Sequence, residues 1–167
     1  MRGVLKWLMV VVGVFLLATI SFFVTMRFHD GPIQIVSGGP FKTGTAAPLP
    51  GDWSFLKDTQ TIQFQTTDPA SSRNTWCAVY DGRLFVVSGY MTTGWGKLWK
   101  QWPHYIERDN RVILRIDGKL YEARMIRIRE GDVVAPVMAE FGRKYGFNGT
   151  GDSVASGYSW LYEVKPR

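Results

Sequence analysis

RVILRIDGKLYEARMIRI, residues 111–128, is the stretch that decides the fold. Val112, Leu114 and Ile116 recur at every second position, the spacing that turns one face of a strand toward a core. Asp117-Gly118 follows. A two-residue type I′ turn needs positive φ at both central positions, and Asp-Gly tolerates it. From Lys119 to Arg129 the chain is again rich in apolar and charged residues, so it returns as the partner strand. Its parity is imperfect: Leu120, Ile126 and Ile128 share a face with Glu122 and Arg124. A bulge or strong bend is expected to reconcile them.

A second hairpin lies upstream. Thr75–Tyr80 is aromatic and β-branched, Asp81-Gly82 is a tight turn, and Arg83–Ser88 returns. Leu84, Phe85, Val86 and Val87 are apolar on both faces, which places that strand centrally. Thr61–Gln65 alternates polar and apolar, and a loop around Asp68-Pro69 and Ser71-Ser72 separates it from the hairpin. Trp160–Val164 reads as a last strand. Two helices are expected. Gly96–Trp102 has Leu98, Trp99 and Trp102 at helical spacing before Pro103. The second is capped by Asp132, runs about fourteen residues and carries the apolar stripe Val134, Val137, Met138, Phe141 and Tyr145. Gly146–Gly157, rich in Gly and Ser, is expected to be mobile.

The chain begins differently. From Trp7 to Met26 no residue is charged, and Lys6 sits where a long side chain can snorkel. A helix of about 20 residues spans about 30 Å, a bilayer core. A cleaved signal peptide has a shorter apolar core, roughly 7–15 residues, and a small-x-small site. The expectation is therefore an uncleaved transmembrane anchor over 1–26, an extended tether over 27–52 and one soluble unit over 53–167. Proline at 32, 40, 48 and 50 keeps helix out of the tether, and Ile33–Val36 is short and apolar enough to add an edge strand. Arg2 and Lys6 precede the span. The positive-inside rule thus favours a cytoplasmic N-terminus and a periplasmic domain at the inner membrane.

The formal charge of +6 suits solubility and affinity for anionic headgroups. No basic run, zinc-finger spacing or RNA-binding aromatic motif argues for nucleic acid. His29, His104 and Cys77 are too scattered for a metal site. Cys77, the single cysteine, lies between Trp76 and Ala78 and reads as a packing residue with no base beside it. Gly89–Gly94 has P-loop glycine spacing, but Trp95 stands where Lys is required. No catalytic constellation emerges.

Ser88–Trp99, SGYMTTGWGKLW, is the most suggestive stretch. A strand ends, glycines and hydroxyls follow, and a helix opens with Lys97 in its first turn. Free N–H groups, the positive dipole end and a lysine together make a phosphate cradle. Trp95, Trp99 and Trp102 are candidates to wall a flat ring, to meet a partner, or simply to pack the helix on the sheet.

This order of elements (strand, Asp-Gly hairpin, central strand, Lys-bearing helix, then RVILRIDGKLYEARMIRI and the closing WLYEVKPR) resembles the flavin-binding split β-barrels. These are the pyridoxamine-phosphate-oxidase-like and deazaflavin-dependent nitroreductase-like proteins. The resemblance implies a mainly β fold: a small antiparallel split β-barrel with two helices behind a single transmembrane helix. It also implies that Ser88 and Lys97 hold a flavin phosphate. Two functions follow. In the first, the barrel is non-catalytic and carries no cofactor. It is an accessory subunit bracing a larger membrane complex, such as a respiratory or photosynthetic one, through Trp95, Trp99 and Trp102. In the second, it is a membrane-tethered oxidoreductase binding FMN or a deazaflavin.

Overall fold

The protein is seen in a computed structural model that describes residues 2–167; Met1, the first residue of the expected anchor, lies outside them. Helix α1 spans Arg2–Met26. Its Gly3–Met26 portion, 24 residues, is long and apolar enough to cross a membrane. The apolar side chains of that portion stand clear of the rest of the chain, and only Met26 is buried.

The strands are β1 (Thr45–Ala46), β2 (Thr61–Thr66), β3 (Ser71–Tyr80), β4 (Arg83–Ser88), β5 (Arg111–Ile116), β6 (Lys119–Ile128) and β7 (Trp160–Pro166), with a 3₁₀ turn at Ser54–Leu56. They run in the order β1-β6-β5-β2-β3-β4-β7, and β6 also pairs with β7. Strands β2 to β7 therefore close into an antiparallel split barrel. The long strand β6 makes the split. Lys119–Arg124 pairs with β5, whereas Ala123–Ile128 pairs with β7. Both Asp-Gly turns have the left-handed backbone that type I′ requires: φ is 51° and 68° at Asp81 and Gly82, and 49° and 73° at Asp117 and Gly118.

No bulge is needed in β6. Its pairing with β5 and β7 runs without a break, and the inward face is Tyr121, Ala123 and Met125. The larger aliphatics are outside because other elements cover part of that face. β1 pairs in parallel with Lys119 and Leu120, and Ile128 packs into a second core. That core lies between the outer face of the barrel (Ala78, Phe85, Leu161) and helix α4 (Val134–Tyr145), whose Val134, Val137, Met138 and Phe141 are buried. Asp132 does not cap α4; Val133 holds the cap position without a side-chain bond. The C-terminal end of α4 is tied to β3 instead. Lys144 Nζ donates to Cys77 O at 2.8 Å, and Tyr145 Oη accepts from Cys77 N at 2.9 Å. A single-turn helix, α5 (Asp152–Ala155), occupies part of the Gly/Ser-rich segment.

The expected helix over Gly96–Trp102 is two: α2 (Gly94–Trp99) and α3 (Trp102–Arg108). Pro103 starts α3 rather than ending α2, because proline is tolerated in a first turn.

The tether lies on the barrel. Ile33–Val36 is a tight turn, with hydrogen bonds both ways between those two residues, and not an edge strand. Gly38 pairs antiparallel with Ser72. Asp30 Oδ1 accepts from Arg115 Nη1 at 2.7 Å, and the Arg115 guanidinium stacks on Phe41 at 4.3 Å.

Candidate functional site

Ser88 ends β4, fully buried, and its hydroxyl donates to Met91 Sδ at 3.4 Å. Lys97 is exposed and belongs to the last turn of α2, not the first. Thr93 already caps the first turn: Gly96 N donates to Thr93 Oγ1 at 3.0 Å. A Cβ at Gly96 would fall 1.6 Å from Tyr90 O, so the loop closes tightly on its own helix. Ser88 and Lys97 thus do not converge into a phosphate cradle.

The three tryptophans separate as well. Trp95 and Trp99 are 84% and 68% exposed, and Leu98 between them is 74% exposed. Trp102 is only 5% exposed and belongs to the core rather than to a partner-facing surface. It packs edge-on to Phe64 at 5.0 Å and against Tyr162 at 5.4 Å, because the break at Lys100 and Gln101 turns it into the barrel end.

That end of the barrel holds two cations that the sequence reading missed. Arg73 on β3 shares the interior face with Cys77 and Val79 and sits opposite Phe64 of β2. Its guanidinium lies 5.8 Å from the Phe64 ring. One terminal nitrogen donates to Ser71 Oγ at 3.3 Å. Nε is sealed from solvent and has no hydrogen-bond partner among the described residues. Burial pulls the Arg73 pKa down to about 10. Burial and then the charge of Arg73 lower that of Lys100, which caps the C-terminus of α2. Among the described residues neither cation has an ion-pair partner. Buried charges are ordinarily paired, so two partly buried cations without a carboxylate are unusual. The signal was available: carried back through Thr75, the alternation that includes Cys77 and Val79 puts Arg73, four residues before Cys77, on a core-facing position.

A concavity of about 460 Å³ opens between the end of α3 and strands β5 and β6. Four arginines line it (Arg108, Arg111, Arg124 and Arg127) against Glu107 and Asp109. Arg111 is spoken for by Asp109 at 2.6 Å, and Arg127 lies 3.5 Å over the Trp160 ring. Cys77 is a buried core thiol whose pKa is pushed up by burial, with Lys144 Nζ 3.8 Å away opposing that rise. His104 stacks edge-on against Trp160, and His29 Nδ1 donates to Gly31 O. Among the described residues no three potential metal ligands cluster.

Fold and site together define a split β-barrel protein carrying a helix suited to a membrane. No family model and no curated protein matches the chain. Several solved structures resemble it. One is a putative pyridoxamine 5′-phosphate oxidase from Listeria innocua, at 18% identity over 68% of this chain and 89% of that one, with a TM-score of 0.47. Another is the haem storage protein HutZ from Vibrio cholerae, at 12% over 68% and 86%, TM-score 0.46. A third is a conserved hypothetical protein from Mycobacterium tuberculosis, at 17% over 68% and 77%, TM-score 0.46.

Proposed function

We propose that this chain is a membrane-tethered oxidoreductase whose barrel end binds the phosphate of FMN or a deazaflavin. The observation that carries the reading is Arg73, whose Nε is sealed from solvent without a hydrogen-bond partner, with Lys100, partly buried and within reach of its charge, and no carboxylate paired to either. A phosphate supplies that pairing, and the orphaned Arg73 Nε is a donor waiting for an oxygen. Arg73 would hold the phosphate and Lys100 would neutralise it. The cofactor, when bound, supplies hydride transfer. Helix α1 would keep the barrel at the inner membrane, N-terminus cytoplasmic and barrel periplasmic. Protease added to spheroplasts should then digest the barrel, and protection would reverse the topology.

The test is titration of the detergent-purified full chain with FMN and with a deazaflavin. Loss of one charge-assisted hydrogen bond costs roughly 1.5–3 kcal/mol, so Arg73→Met should weaken binding about ten- to a hundredfold. Lys97→Glu should change it little, because Lys97 points to solvent. Binding that is absent in the wild type, or indifferent to Arg73→Met, would end this reading.

A second reading, a non-catalytic accessory subunit bracing a larger membrane complex, draws on a separate observation. The tether is stitched to the barrel by Asp30, Gly38 and Phe41, so anchor and barrel make one stiff strut. It expects a colourless protein that co-purifies with other membrane subunits.

A further inference from the structure

We infer that the exposed face of α2, with Trp95, Leu98 and Trp99, docks on the headgroup region of the same bilayer that α1 crosses. The inference rests on reading α1 as a span, and it goes beyond the cofactor reading.

The geometry begins at the end of α1. Gly39 N donates to His29 O at 3.0 Å, and a Cβ at Gly39 would meet Arg27 O at 2.3 Å, so Gly39 sits directly on the helix end. Gly39 O in turn accepts from Ser72 Oγ at 2.5 Å, and Gly38 pairs with Ser72 through backbone bonds of 2.9 and 3.0 Å. Ser72 is the second residue of β3. The anchor is therefore fixed, without slack, to the end of the barrel where β3 starts.

Strand β4 runs antiparallel to β3, from Tyr80↔Arg83 to Cys77↔Val86. β4 thus runs toward that same end; its last pair with β3 is Val86↔Cys77, it finishes at Ser88 two residues on, and α2 is the next element. An end of the barrel clamped to a transmembrane helix faces the membrane surface, and α2 is carried with it.

The chemistry of the face fits that location. Trp95, Leu98 and Trp99 are more than two-thirds exposed on a helix of six residues. Tyr90, just before α2, is also exposed, and Phe28 and Ile35 of the tether are 69% and 82% exposed beside the anchor end. Trp and Tyr with one apolar and one polar edge are the residues of membrane–water interfaces. Lys97, exposed on α2, adds attraction to anionic headgroups within a Debye length. No carboxylate lies in α2 or in the loop between Ser88 and α2 to oppose it.

The test uses the full chain reconstituted into vesicles of phosphatidylcholine, with or without phosphatidylglycerol, carrying bromines on the acyl chains. Brominated lipid quenches tryptophans that touch it. Among the seven tryptophans, Trp7 lies in α1 and reports the span. In Trp7→Phe, substantial quenching should remain and should disappear when Trp95→Phe and Trp99→Phe are added. Phosphatidylglycerol should increase the quenching in Trp7→Phe, and Lys97→Glu should remove that increase. If Trp7→Phe alone abolishes quenching, the span is inserted but α2 is away from lipid, and the inference is wrong. If Trp95→Phe/Trp99→Phe leaves Trp7 unquenched, the span reading itself fails and takes the inference with it. A photo-crosslinker placed at Leu98 in native membranes that captures a protein instead of lipid would also overturn it.

Discussion

Arg115→Met removes the residue on which the tether hangs. Arg115 projects from the outer face of β5, where Nε donates to Gln63 Oε1 at 2.8 Å and Nη1 to Asp30 Oδ1 at 2.7 Å. Its guanidinium also covers Phe41, 4.3 Å from the ring centroid. The ion pair is only partly exposed, 15% and 27% for the two side chains, so solvent screening weakens it less than an open surface pair. A charge-assisted hydrogen bond contributes roughly 1.5–3 kcal/mol and a cation–π contact about 0.5–1. Such contributions within one cluster do not add fully, so about 2–4 kcal/mol is the expected loss. The loss should be local. The barrel core draws Ala47 and Leu49 from the later part of the tether and nothing from residues 30–44. At about 1.4 kcal/mol per decade, opening of residues 30–44 should become roughly 30- to 1000-fold more frequent while the barrel stays folded. Hydrogen exchange of the full chain in detergent reads this directly: peptides covering 30–44 should exchange faster, and those from β3 to β5 should not. Unchanged exchange there would show that Arg115 does not hold the tether. A cooperative loss of the whole barrel would show that the tether is integral to the core.

Two further tests concern the same framework. The Asp30 carboxyl is held well below the ordinary carboxylate range, first by Lys42 N and then by Thr43, with Arg115 adding to it. A depressed folded pKa gives stability that is present above the unfolded value of about 3.9 and is lost as pH falls below it. Once intrinsic exchange is corrected for, protection of the Gly38 and Gly39 amides should hold down to about pH 4 and decline below that, and Asp30→Asn should remove the pH dependence. At the hairpins, Gly118 has open space around its absent Cβ, whereas a Cβ at Gly82 would meet Asp52 Oδ1 at 3.1 Å. Both are left-handed, so valine at either should cost on the order of 1–3 kcal/mol, with the larger loss at Gly82. Thermal melts that are unchanged, or that rank the two the other way, would refute this.

Much of the barrel was legible because its signals are local. The two Asp-Gly turns and the alternation in Thr61–Gln65 and Arg111–Ile116 depend on neighbouring residues, and the strands β2, β4 and β5 lie where that pattern puts them. What failed depended on distant parts of the chain. Leu120 misled the parity of β6 because β1, some seventy residues earlier, pairs alongside it. Trp102 has the same helical spacing as Trp99, but the turn at Lys100 and Gln101 points one inward and leaves the other outside. Ser88 and Lys97 looked like a cradle in one dimension, yet Thr93 fills the helix start and Met91 takes the serine. Arg73 and Lys100, 27 positions apart, come within reach of each other's charge only through the fold.

The most direct measurement of the central claim is the absorption spectrum of the full chain purified gently from its own membranes, taken beside Arg73→Met. The wild type should carry the visible or near-ultraviolet band of a flavin or deazaflavin, released as a phosphate-bearing compound on denaturation, and Arg73→Met should lack it while melting like the wild type. A colourless wild type, above all one that retains other membrane subunits, would contradict the claim and leave the barrel as a brace.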